Sequence, residues 1–283
     1  MAKNLVKKII VGFVVLCVVV VFDYWLFAPK NISEPEAQSE QSNPTLPKED
    51  SSPHSSPLQH DKQEKENTNT DKQEKEIILK PEKESFQISV PFTSQSPYKT
   101  WDKLHGEACE EASLVMAKYW LLNKKLSKEI ADKEIKQSVA WQKENWGGHY
   151  DLRVKDTITL AKKFFNIKKI YFTEIESIKE IKYFLEQGKL VIAPMAGRKL
   201  DNPYFKNPGP PYHMLVATGF NKGNIITNEP GTYRGKDFAY TNNNFFNALH
   251  DWPFKIEEKN ELDKDQKSEE VLNGLKRIII IEK

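Results

Sequence analysis

Residues 28 to 80 cannot contribute to a packed core, and this fixes where any fold in the chain must lie. The stretch is built of Ser, Pro, Gln, Glu, Lys and Asn, with almost no aliphatic side chain before Ile77. So little apolar surface cannot offset the entropy lost on ordering the backbone. The sequence Asp-Lys-Gln-Glu-Lys-Glu occurs at Asp61–Glu66 and again at Asp71–Glu76. Two copies are too few to stack as a solenoid, so they read as solvated linker. A flexible spacer of about fifty residues has a root-mean-square reach of roughly 40 Å.

Ahead of the linker, residues 9–27 are almost unbroken Val, Ile, Leu and Phe, interrupted late by Asp23. At 1.5 Å per residue such a run crosses a hydrocarbon core of roughly 30 Å. Asp23, Tyr24 and Trp25 suit the far interface. Lys3, Lys7 and Lys8 precede the run and only Lys30 closely follows it. This bias predicts a single-pass anchor with residues 1–8 in the cytoplasm and everything after residue 28 outside the cell. A cleaved signal peptide is the rival reading, but no small-x-small cleavage site follows. Leu16 before Cys17 also argues against a lipidated cysteine.

Residues 81–283 are enough for one domain with a full-sized core. Over the whole chain 42 Lys and Arg face 40 Asp and Glu, and no basic stripe marks the domain, so nucleic acid is not an expected partner. Phe86, Ile88 and Val90 alternate with polar residues as a short strand. From Cys109 to Leu122, Ala112, Val115, Met116 and Tyr119 follow a helical period. Further helices are expected from Ser127 and over Asp151 to Phe165, and Ser177 with Glu180 makes a capping-box pattern ended by Gly188. Strands are expected at Leu190–Met195, His213–Phe220, Asn224–Asn228 and Arg277–Ile281, with a hairpin turn at Asn221–Asn224. Helices first and strands later predict an α+β domain, its helical part packed on an antiparallel sheet.

Of the two cysteines, Cys17 lies in the apolar run, which leaves Cys109 without a disulfide partner in the domain. A catalytic thiol needs surroundings that lower its pKa, and a helix N-terminus offers unpaired N–H groups and the macrodipole. Glu110 and Glu111 oppose that effect unless they point to solvent. A histidine is the natural partner, first as base and then as acid toward the leaving amine. His54 and His60 fall in the linker; His105, His149 and His250 fall in expected loops and read as structural. His213 opens an apolar strand, where a satisfied core histidine is the plainer reading. Its hairpin partner, however, ends in Asn228 and Glu229, either of which could orient the ring, and adjacent strand residues face opposite ways.

Val90-Pro91-Phe92 with Gln95, then Cys109 opening a helix, then His213, then Asn228-Glu229-Pro230-Gly231, in this order resemble the bacteriocin-processing, double-glycine-leader peptidases (peptidase family C thirty-nine). The resemblance spans roughly residues 86 to 252 and implies a papain-like cysteine peptidase fold. It implies Cys109 as nucleophile, His213 as general base and acid, and Gln95 with the Cys109 N–H as oxyanion-hole donors. Family members carry Asp before Pro-Gly where this chain has Glu229, and a Gly is common where Glu110 stands. The third member is thus Glu229, at the family position, or Asn228. No G-x-x-x-x-G-K-[ST] exporter loop is present, so a cell-surface hydrolase of peptides or wall crosslinks fits the topology better than leader processing.

Without C-x-x-C or H-E-x-x-H, no metal site is expected, and the chemistry calls for no cofactor. The expected partners are a peptide or protein substrate, a cell-wall peptide among the candidates, and the membrane through residues 9–27; a monomer is expected. Trp101, Trp141, Trp146 and Trp252 read as packing residues rather than a substrate groove. Two other readings remain: a transglutaminase-like acyl transferase, and an inactive surface or cell-wall binding module that keeps the fold.

Overall fold

The computed structural model describes residues 81–258 and 262–283. The apolar run at 9–27 and the linker at 28–80 lie outside the described residues. Among the described residues no helix is long and apolar enough to cross a membrane.

The order of elements is β1 (Phe86–Gln87), α1 (Lys103–Gly106), α2 (Cys109–Leu121), α3 (Lys128–Trp146), α4 (Val154–Lys163), β2 (Ile170–Glu174), α5 (Ile178–Glu186), β3 (Leu190–Ala196), β4 (Tyr212–Phe220), β5 (Asn224–Asn228), β6 (Phe238–Thr241), α6 (Asn242–Ala248), α7 (Lys264–Glu270) and β7 (Arg277–Ile281). The strands form one antiparallel sheet in the order β2-β7-β3-β4-β5-β6, with β1 pairing on β4 beyond the end of β3. The fold is thus a mixture of helices and an antiparallel sheet.

Side-chain alternation along the strands builds two cores rather than one. Leu190, Ile192, Tyr212, Met214, Val216, Ile279 and Ile281 pack with Cys109, Trp120, Ile135 and Leu160 of the α2–α4 layer. Val191, Ala193, Met195, Leu215, Ala217, Ile278 and Ile280 pack with Ile181, Leu185, Phe245 and Ala248 of the α5–α6 layer. Each fully buried Val, Leu, Ile, Met or Phe among them contributes roughly 1.5–3 kcal/mol. Helices therefore cover both faces of the sheet, not one, and this is why β3, β4 and β7 read as continuous apolar runs.

Local chemistry sets the ends. Ser127 Oγ accepts from Ile130 N at 3.3 Å and caps α3, whose last turn stops at Gly147 in a left-handed conformation (φ 79°). The Ser177–Glu180 capping box is present at the start of α5. In the β4–β5 hairpin Asn221 Oδ1 accepts from the backbone of Gly223 and Asn224. Two boundaries differ from the sequence expectation by more than two residues. The first strand is only two residues long, held where Gly219 lets it cross, since a Cβ there would sit 2.5 Å from Phe86 O. The helix expected from Asp151, α4, begins at Val154: Leu152 N, ahead of it, donates to Glu110 Oε1, and Val154 N, in its first turn, donates to Asp251 Oδ1.

Candidate active site

Cys109 is the first residue of α2, and its neighbour Ala108 provides no side-chain cap. Ser113, one turn on, donates to Met214 O at 3.3 Å, so the start of α2 lies against the start of β4. Gln95 joins the same place from a third direction. Its backbone N donates to Pro230 O (2.9 Å), while Nε2 donates to His105 O (2.9 Å) and Gly106 O (3.0 Å). One buried residue thus ties the loop before Cys109 to the turn after Glu229. Both side-chain hydrogens of that amide are committed to backbone carbonyls, and its Oε1 is buried with no hydrogen-bond partner.

His213 and Glu229 are both buried, and the ring Nε2 donates to Glu229 Oε1 at 2.5 Å. The same oxygen accepts from Gly231 N (2.7 Å), and Oε2 accepts from Tyr240 Oη (2.9 Å), which in turn accepts from Asn202 Nδ2 (2.6 Å). The Phe205 ring closes on the imidazole edge-on, with centroids 5.3 Å apart. Asn228 turns the other way, and its amide donates to Val90 O at 3.2 Å. The carboxylate therefore holds the ring and the amide holds the loop. Among the described residues, His213 Nδ1 carries no hydrogen bond.

The thiol is held elsewhere. Cys109 Sγ donates to Glu110 Oε2 at 3.0 Å, and among the described residues no hydrogen bond joins it to His213. Strand alternation places Tyr212 and Met214 on the α2 side of the sheet, while His213 shares its network with Tyr240 and Phe205 of the opposite layer. Glu110 and Glu111 do not point to solvent: they are 1% and 0% exposed. Burial pushes the thiol well above its ordinary pKa, and the carboxylates of Glu110, Asp151 and Glu111 push it further. This overturns the expectation that the helix start would lower it. The partial positive charge of one helix N-terminus does not compensate for desolvation beside buried acids. Glu110 itself is pushed up to about 8, by burial first and then by Glu111 and Asp151.

Several groups here gave little sign in the sequence. Glu111 accepts from Gln142 Nε2, and His149 Nε2 lies 3.2 Å from Glu111 Oε1, an ion-pair distance without hydrogen-bond alignment. Burial, the largest single influence, lowers the His149 pKa, but the carboxylates of Glu111, Glu110 and Glu107 together outweigh it and the net shift is upward. A helix apolar on several sides was the available signal that both glutamates are buried. Tyr240 and Asn202 had none, since their contacts cross long sequence separations.

Beside these groups a cavity of about 630 Å³ is lined by Glu107, His149, Asp151, Tyr212, Trp252 and Lys267, among others. Glu107 lies two residues before Cys109 and Tyr212 one before His213, so the cavity opens at the joint between the two segments. Trp252 is buried and lines it; Trp141 and Trp146 pack on the core, and Trp101 is exposed. His105 is fixed between Asp102 and Asp132, and His250 Nδ1 donates to Gly274 O. Among the described residues no cluster of side chains could hold a metal ion.

The chain matches no family model and no curated protein. It is similar to a crystal structure from Bacillus anthracis that carries the provisional designation C39-like peptidase, at 16% identity and a TM-score of 0.42, over 71% of this chain and 98% of that one. At that level the likeness says nothing of activity.

Proposed function

We propose that residues 81–283 form a papain-like cysteine peptidase, held outside the cell by residues 9–27 and spaced from the membrane by residues 28–80. The observation that carries this reading is the His213–Glu229 pair: a buried imidazole fixed through Nε2 and backed by Tyr240, with Nδ1 unbonded among the described residues. Gln95 brings the loop before Cys109 to the same turn. In the proposed reaction Nδ1 takes the Cys109 proton as Sγ attacks the substrate carbonyl. The tetrahedral intermediate collapses to a thioester while the imidazolium protonates the leaving amine. Water, deprotonated by the same ring, then attacks the thioester; the C–S bond breaks, the acid product leaves and the imidazolium returns the proton to sulfur. The thiol must first exchange Glu110 for His213. With Gln95 Nε2 occupied, the Cys109 N–H is the remaining oxyanion donor of the two inferred from the resemblance.

The test is a peptidyl chloromethyl ketone offered to the full chain and to its H213A variant, followed by mass spectrometry. A single adduct on Cys109 in the native chain, formed at least tenfold more slowly in the variant, is the expected result. No adduct, or one formed equally fast in both, overturns the reading. A second reading, a binding module without catalysis, is favoured by the burial of Cys109 and its bond to Glu110. Ligand binding unchanged by C109A, with no adduct, would establish it instead.

A further inference from the structure

Next to His213 the surface changes character. Gly231 packs so closely on the imidazole that an added Cβ would lie 3.1 Å from its Cε1, and the chain then leads directly into Tyr233 and Arg234. Phe205, which meets the same imidazole edge-on, is preceded by Tyr204. Tyr233 is 52% and Tyr204 45% exposed. Lys99, four residues after Gln95, stands over the Tyr233 ring at 4.3 Å from its centroid. The Arg234 guanidinium lies 5.0 Å from the Tyr204 centroid and 5.6 Å from that of Tyr233. Two cations and two aromatic rings thus form a continuous rim along one side of the candidate site.

Neither cation has a carboxylate partner among the described residues, unlike Lys118, Arg153, Lys189, Arg198, Lys267 and Arg277. A ring face positions a cation without neutralising it. Lys99 and Arg234 are therefore held in place with their charge still available to a ligand, and the arginine keeps a planar fork suited to a carboxylate. Exposed tyrosines beside a positioned arginine are also the composition of energetically important contact surfaces.

We infer that the Lys99–Tyr233–Arg234–Tyr204 rim is a binding site for an acidic peptide segment, whose carboxylates pair with Lys99 and Arg234 while its backbone lies across the two tyrosine rings. It deepens the peptidase reading by assigning a substrate class, and on that reading it recruits substrates carrying Asp or Glu on one side of the scissile bond.

The experiment measures binding, not turnover, so that it succeeds or fails independently of the proposed chemistry. Fluorescence anisotropy of a labelled ten-residue peptide with alternating Glu, and of its Gln counterpart, is followed on the full chain carrying C109A. The Glu peptide should bind about three- to tenfold more tightly in low salt, the range expected for two exposed ion pairs. That preference should vanish in K99A/R234A, shrink in R234K and fall with added salt. Thermal unfolding of K99A/R234A should match the parent, since both side chains are on the surface. Equal binding of the two peptides, or a preference that survives the double variant, overturns the proposal. Inorganic polyphosphate displacing the Glu peptide through the same residues at lower concentration would overturn the peptide as occupant.

Discussion

Cys109 Sγ lies 3.0 Å from Glu110 Oε2, so the side chain next in sequence, rather than an imidazole, holds the thiol. The same carboxylate accepts from Leu152 N through its other oxygen, and Leu152 O accepts from Tyr212 Oη at 2.8 Å. Glu110 thereby links the candidate nucleophile to the loop before α4 and, through Tyr212, to the strand that carries His213. A buried carboxylate beside a thiol disfavours the thiolate, which gives a direct experimental handle.

Glu110→Gln removes the charge but keeps an oxygen for Leu152 N. Above about pH 8 the native carboxylate is ionised and raises the Cys109 pKa; the amide cannot. The variant should alkylate with iodoacetamide at pH 9 about tenfold faster than the native chain, equivalent to roughly one pKa unit. An unchanged or slower rate would show that desolvation alone controls the thiol.

Stability should fall between pH 5 and pH 8. Glu110 is raised from 4.5 to about 8 in the fold, so over that window the folded chain binds a proton the unfolded chain has lost. Stability from this group is present below the unfolded value and lost as pH rises through the folded one. Asp251, raised from 3.8 to about 6 by burial, acts in the same direction in the lower part of the window. His149, also raised, contributes stability below its unfolded pKa that disappears above its folded one. A loss on the order of 4–5 kcal/mol is expected from pH 5 to pH 8, most of it from Glu110, measured as the shift in urea midpoint. In Glu110→Gln most of that slope should be absent.

Glu229→Gln tests the support behind His213. Oε2 now accepts from Tyr240 Oη, whose oxygen already accepts from Asn202 Nδ2. An amide nitrogen in that place would leave the tyrosine hydrogen without an acceptor in a buried site. The expected cost is about 1–3 kcal/mol, read from chemical denaturation, together with loss of any His213-dependent reactivity of Cys109. A stability unchanged within error would mean that the network rearranges at no cost.

The sequence carried the helices with explicit end signals and the strands with uninterrupted apolar runs. Ser127 and Ser177 announced α3 and α5, and Asn221 through Asn224 announced the β4–β5 turn. It did not carry elements whose apolar content is low or whose partners are remote. β2 follows Lys168 and Lys169 and is placed by full pairing with β7, from Ile170 against Ile281 to Glu174 against Arg277, a partner more than a hundred residues away. α7 does have an Asp263–Gln266 capping box but buries none of its side chains, so it shows no apolar stripe. At the site, residue types and order were visible, whereas burial of the acids was signalled only by α2 being apolar on several sides. Glu110 and Glu111 look like exposed helix charges until Leu152, Gln142 and His149 are brought over them. The choice between Asn228 and Glu229 likewise depends on which face of β5 meets β4, and that is a property of the whole sheet.

Gln95 separates a structural strut from a catalytic donor. Its Nε2 satisfies two carbonyls in the turn that leads into Cys109, and both bonds vanish in Gln95→Ala. If the amide works as a strut, the variant loses about 1–3 kcal/mol of stability because buried acceptors are left bare. Gln95→Glu should then be worse, since it sets a carboxylate against the same two carbonyls. If the amide instead serves a developing oxyanion, kcat falls about a hundredfold while the unfolding midpoint stays in place. The geometry favours the strut: a donor already engaged twice has no hydrogen left for a substrate oxygen. We therefore expect the urea midpoint of Gln95→Ala to drop, and Cys109 alkylation to rise as the turn over it loosens.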